Sequence, residues 1–174
     1  MRSLQTLGLT RSGSGSGSFV ISDRQGPELA YGSYSARELI EARPFVEVPA
    51  TGWAALRRSP DQLARLLALC DSMERQEDAL KWVKLDSDFH VLIAEASQNR
   101  LFARIVLDSR EALMRQSELV NLMADRRLAS NHEHRRIANA IARGHEADAQ
   151  AAMRDHLHKV ELATTMITGQ TLDS

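Results

Sequence analysis

A single cysteine, Cys70, serves the whole chain. An intramolecular disulfide framework is therefore excluded, and a reducing, cytoplasmic setting is expected. No apolar run approaches the roughly 18 residues of a membrane span, and the opening MRSLQTLGL is too short and too broken by polar residues for a signal peptide. No membrane partner is expected. An excess of either charge is missing too: 22 basic and 23 acidic residues are interspersed, for a net charge of −1. A complete DNA-binding protein usually shows a basic face, so any nucleic-acid contact belongs to a local or missing part. There is no nucleophile elbow, Walker loop or dinucleotide fingerprint, and an enzyme is not expected. Glycine and proline fade early: all four prolines and seven of the nine glycines precede residue 61. Beyond that point little in the sequence breaks a helix.

The chain after residue 60 is rich in Ala, Leu, Arg and Glu, with apolar positions recurring at three and four, the spacing of an amphipathic helix. SPDQLARLLALCDSMER opens on Ser59 as N-cap and Pro60 as first helical residue, a strong start signal. Leu63, Leu66, Leu67, Cys70 and Met73 then form one stripe, which makes Cys70 a buried thiol. A second helix is expected from about Glu77 to Ala96, with Trp82, Leu85, Phe89, Leu92 and Ile93 inward, stopped by Ser-Gln-Asn at 97–99. A third, amphipathic throughout, begins near Arg100 and carries LFARIVLDSREALMRQSELV. A fourth covers about 125–143 before Gly144, a residue suited to the left-handed position after a helix. A fifth starts near Glu146. Upstream, SARELIEARPFVEV also reads as helix, with Pro44 expected to kink or end it. The fold class is all-α, an antiparallel bundle of about six to seven helices. The alternating SGSGSGSFV at 12–20, taken alone, has the composition of a flexible spacer.

All six histidines lie after residue 89. In DSDFH, Asp86 and His90 are four apart and project from one helix face; Asp88 faces elsewhere. His134 shares its face with Ile137 and Ile141, leaving His132 solvated. His156 falls with Met153, Ala152 and Val160, in preference to His158. Asp86, His90, His134 and His156 thus come from three helices and can converge. An imidazole set with one carboxylate suits a divalent ion such as Zn²⁺, Ni²⁺ or Mn²⁺ and leaves positions open for a small carboxylate. Inward histidines that are merely hydrogen-bonded core residues remain an equal alternative on this chemistry. Glu95 and Glu133 are conceivable bases near a metal-bound water, but nothing separates them from solvated helix residues. Arg43, flanked by Glu41 and Glu47, suggests an ion pair within its own helix.

Two separated segments, DSDFHVLIAEASQN at 86–99 and EHRRIANAIARGHEADAQAAMRDHL at 133–157, resemble the effector-binding domain of GntR-type transcription regulators of the FadR subfamily. The likeness spans most of residues 35–160, and ELIEARPFVEV resembles that domain's first helix. It implies a helical bundle holding a divalent metal on Asp86, His90, His134 and His156, the four already chosen by facing. It also implies a small carboxylate effector, such as a hydroxy, keto or sugar acid, with Arg43 as a carboxylate partner. Asn99, of the Ala-Ser-x-Asn motif, joins Arg43 as a candidate effector-binding residue, although a structural role suits it better. Pro44, directly after Arg43, departs from the pattern of that first helix. Met1, Leu4, Gly8 and Leu9 resemble the tail of a recognition helix, and GSGSFV the tip and return strand of a wing.

The chain thus divides into a remnant of a winged helix-turn-helix at 1–22, a linker at 23–34, the effector domain at 35–165 and a tail at 166–174. The expected function is a cytoplasmic, homodimeric ligand sensor of a bacterial transcription regulator. DNA would be met through the winged helix of a full-length protein, weakly or not at all by this chain. Two alternatives use the same residues: a small metal-dependent hydrolase, and a metal-free helical dimerisation domain.

Overall fold

A computed structural model describes residues 10–13, 17–20, 30–31, 34–123 and 126–168. Two short strands, β1 (Thr10–Gly13) and β2 (Gly17–Val20), pair antiparallel with Thr10 opposite Val20 and Gly13 opposite Gly17. The expected recognition-helix tail at 1–9 and the glycine tip at 14–16 lie outside the described residues. So does the terminal segment at 169–174. From the expected linker, β3 (Ala30–Tyr31) pairs with β4 (Tyr34–Ser35), which straddles the expected boundary with the effector domain.

Seven helices complete the described residues: α1 (Ala36–Arg57), α2 (Pro60–Arg75), α3 (Ala79–Ala96), α4 (Arg100–Asp108), α5 (Arg110–Met123), α6 (Arg127–Arg143) and α7 (Glu146–Thr168). The all-α bundle is as expected, and so are most of its boundaries. Ser59 caps α2 in a reciprocal box with Gln62, and Pro60 opens the helix. Ser35 and Glu38 make the same arrangement at the start of α1. Gly144 sits at φ +72° after α6, where a side chain would be strained. No described helix is long and apolar enough to cross a membrane.

Of the two outcomes expected at Pro44, a kink or an end, the end is ruled out, and the stretch from Arg100 needs correction. Pro44 does not end α1, which runs as one helix through both Pro44 and Pro49. Each proline removes one backbone bond and crowds the preceding turn, yet the later half of α1 buries Val48, Ala50, Thr51, Ala54 and Ala55. That buried face packs along α7, its most extensive neighbour, and burial outweighs the two lost bonds. Gly52 sets how close the two helices come, since a Cβ there would lie 2.5 Å from Gln150 Nε2 and 2.7 Å from its Cγ. The amphipathic stretch from Arg100 is not one helix but two. Ser109 turns its hydroxyl back onto the carbonyls of Ile105 and Val106 and closes α4, and α5 starts at once.

The main core runs through the bundle's middle. Leu66, Cys70 and Met73 from α2 meet Trp82, Phe89, Leu92 and Ile93 from α3, with Ile137 and Ile141 from α6 and Met153 and Leu157 from α7. Asp86, His90, His134 and His156 open from this apolar wall toward α1 and α5.

Candidate metal centre

The four polar residues singled out by spacing meet at one place. His90, His134 and His156 each offer a ring nitrogen, and these atoms lie within 4.8 Å of one another. His134 is fully buried, and His156 and His90 are 3% and 5% exposed. Asp86 joins them: its Oδ1 lies 3.2 Å from His134 Nε2 and 3.8 Å from His90 Nε2. The other carboxylate oxygen, Oδ2, accepts a hydrogen bond from Ser117 Oγ at 2.6 Å. Ser117 is held in turn by Asn121, whose side-chain amide donates to its carbonyl at 2.8 Å. His132 and His158 are exposed, and Asp88 leaves the centre to pair with Arg110, all as the helix faces require.

Two glutamates stand behind the imidazoles. Glu133 Oε2 lies 2.8 Å from His156 Nδ1, which turns the Nε2 edge of that ring inward. Glu133 is itself gripped by Arg126 at 2.7 and 2.8 Å, with Lys159 Nζ at 3.6 Å. On the opposite side Glu47 Oε2 lies 2.7 Å from His90 Nδ1, close but without the alignment of a hydrogen bond. Arg43 binds Glu47 through Nε at 2.5 Å and donates from Nη1 to Gln116 Oε1 at 3.2 Å. The pair Arg43–Glu47 is the ion pair expected within one helix; its reach to His90 is new. A carboxylate on the outer nitrogen fixes which ring nitrogen is free and raises its basicity.

Burial dominates the electrostatics. It lowers His134 to about 4, against the pull of Asp86, and lowers His156 well below the ordinary range, helped by the other two rings. Both are neutral at pH 7 and their lone pairs are available. Burial alone would raise Glu47, but Arg43 and His90 together hold it well below the usual carboxylate range. At Glu133 burial wins over Arg126 and Lys159, and the group is raised.

Whether these residues fit a metal is tested by His134. Both its ring nitrogens are buried with no hydrogen-bond partner, as is Nδ1 of His90. Trp82 stacks on the His134 ring with centroids 6.1 Å apart, and Phe89 tilts against it at 4.9 Å. A fully buried imidazole in an apolar wall with neither nitrogen satisfied is costly. A cation ligated at its Nε2, which faces Asp86, removes part of that cost. The donor set of three neutral imidazoles and a carboxylate fits a borderline divalent ion.

The remaining expectations divide. Arg43 lines the cavity beside the centre, together with Arg110, Ser87, Ser117, Asn121 and Ser130. Asn99 does not line it: its side chain accepts from the backbone N–H groups of Leu101 and Phe102 and caps α4. Glu95 is exposed on α3, whereas Glu133 is buried against His156. Gln116, Ser117 and Asn121 carried no signal in the sequence, because polar residues on an otherwise ordinary amphipathic helix look solvated.

The FCD domain family matches residues 38–159. Over 174 aligned residues the chain is 29% identical to the HTH-type transcriptional regulator LutR of Bacillus subtilis, covering 92% of this chain and 80% of that one. It is 26% identical to the Exu regulon transcriptional regulator of Escherichia coli K12, covering 98% and 68%. Among solved structures, a GntR protein of Streptococcus agalactiae superposes with a TM-score of 0.60 at 26% identity, over 91% of this chain and 77% of that one. A GntR family member from Pseudomonas syringae shares the fold, with a TM-score of 0.67 at 18% identity over 97% and 68%.

Proposed function

This chain belongs to the FCD domain family of GntR-type regulators, and on that premise we propose that it senses a small carboxylate through a divalent metal held by Asp86, His90, His134 and His156. The observation that carries this reading is the buried His134, whose two ring nitrogens are unpartnered beside an aspartate and two further imidazoles. A divalent ion bound there supplies a Lewis-acidic point with coordination positions left for an anionic ligand.

The protein's own residues do the rest. Glu133 stands on the outer nitrogen of His156 and presents the inner edge of that ring, and Glu47 lies against His90 Nδ1. Ser117 holds one oxygen of Asp86 and leaves the other facing the histidines. Arg43, on the cavity wall, would be the cation that meets the effector carboxylate. The candidate ligands sit on α3, α6 and α7 and Arg43 on α1, so an effector that favours one arrangement of these helices shifts the population of the whole bundle. In a dimer carrying winged helices, that shift changes how the two DNA-reading elements are spaced. The reading is of a sensor rather than an enzyme.

Metal analysis of protein purified without chelator tests it, followed by thermal melting with a panel of hydroxy, keto and sugar acids. One equivalent of bound divalent metal and a selective rise in melting temperature are expected. Absence of metal, with no effect of a chelator on melting, would point instead to a metal-free helical dimerisation domain.

A further inference from the structure

The outward face of α1 is apolar along most of its length. Ala42, Phe45, Pro49, Trp53 and Leu56 recur at three and four and so fall on one line, with Phe45 80% and Leu56 56% exposed. Beside this line α4 runs in the opposite direction. Trp53 stacks on Phe102 near the start of α4, with centroids 5.3 Å apart, and Glu38 and Ala42 share a groove with Ile105 and Asp108 near its end. Leu101 and Ile105, four apart on α4, are 65% and 40% exposed and extend the same face. Together these side chains present roughly 500 Å² of apolar surface, a size that on a soluble protein marks an interaction site.

We propose that this α1–α4 face is where a second copy of the chain docks, the two copies lying antiparallel across a two-fold axis. Two observations select a second copy. The first is area: a stable interface takes roughly 800 Å² from each partner, of which the apolar centre here supplies the larger part and a charged rim the remainder. The second is charge. Where α1 ends and α4 begins stand Arg57, which covers the Trp53 ring and bonds the Ser97 carbonyl, and Arg100, which has no acidic partner among the described residues. Where α1 begins and α4 ends stand Glu38, Glu41 and Asp108. Arg37 pairs with Glu41 and Arg104 with Asp108, which leaves Glu38 in excess, without a cationic partner among the described residues. The face is basic at one end and acidic at the other. A two-fold axis through its middle sets the basic end of each copy against the acidic end of the other, which no parallel pairing does. On its inner side α1 carries Arg43 and Glu47, so the helix that meets the partner also walls the effector cavity. The docking itself does not depend on a bound metal.

Sedimentation velocity of the full, chelator-treated chain across the micromolar range is the test. A concentration-dependent dimer is expected. Phe45→Glu and Leu101→Glu, at exposed positions where the monomer loses little packing, should each weaken it about a hundredfold or more, with helix content and zinc uptake unchanged. Arg100→Glu and Asp108→Arg each suit their own end of the α4 dipole. Singly they should weaken the dimer about three- to tenfold, and together they should restore it, because both ends have then changed sign. A chain that stays monomeric throughout overturns the proposal and leaves the face to another occupant. A dimer that survives Phe45→Glu and Leu101→Glu also overturns it, because the interface then lies elsewhere. Failure of the paired swap to restore the dimer overturns the antiparallel arrangement. The metal-sensor reading stands or falls separately, on zinc uptake.

Discussion

His134 is the residue whose burial makes least sense by itself. Its pKa, lowered to about 4 by burial, turns that cost into a measurable slope. In the unfolded chain the ring takes up a proton near pH 6.5, whereas the folded ring resists until about 4. Between those values the unfolded state binds more protons, so stability falls as pH falls. The window carries about 3 kcal/mol for this residue alone, with His156 acting in the same direction. Urea midpoints of chelator-treated protein are expected to drop steadily from pH 6.5 to 4, and His134→Phe should flatten the drop; a level midpoint contradicts the assignment. Glu133 offers a second test at this scale. Replacing it with Gln keeps the volume but weakens the hold on His156, and metal affinity measured by chelator competition should fall roughly 10–100-fold with helix content unchanged. Unaltered affinity would mean that Glu133 serves only Arg126 and Lys159. Cys70, pushed up to about 12 by burial, is expected to resist thiol reagents until the protein unfolds.

At the scale of elements, the parts read most easily were those fixed by neighbours in sequence. Ser59, Pro60 and Gln62 settle the start of α2 among themselves, so Ser59→Ala should cost about 1 kcal/mol in urea unfolding; a change within error would show that the box adds little to a helix already held by its packing. Gly144 and the stripe Leu66, Cys70 and Met73 were legible for the same reason. The exceptions were decided by distant partners. Pro44 leaves α1 intact because α7, more than a hundred residues later, covers the turn beyond it. Ser109 divides α4 from α5 through hydrogen bonds that any helical serine can make, so its sequence context gave no sign of the break. Asn99 shows how a motif residue can serve the element itself: its side chain is occupied in starting α4.

Across the whole molecule, the site was readable as far as helix faces go. Spacing placed Asp86, His90, His134 and His156 inward, and the bundle brings them together. What spacing could not supply was the support from other helices: Glu47 at His90, Glu133 with Arg126 behind His156, and Ser117 on Asp86. Those pairings depend on how five helices pack, which no single periodic pattern contains. The same packing gives the last prediction. A metal on ligands from α3, α6 and α7 binds only the folded bundle, so it stabilises by mass action, about 2.7 kcal/mol at a free concentration of 100 Kd. For a chain of this size that is a rise of roughly 5–10 °C in melting temperature. Adding Zn²⁺ to chelator-treated protein should produce it, in a single transition that shifts as a unit. Asp86→Ala should abolish the shift, whereas His158→Ala, at an exposed ring, should retain it. If Asp86→Ala retains the full shift, the metal is bound at surface histidines and the buried cluster is packing alone.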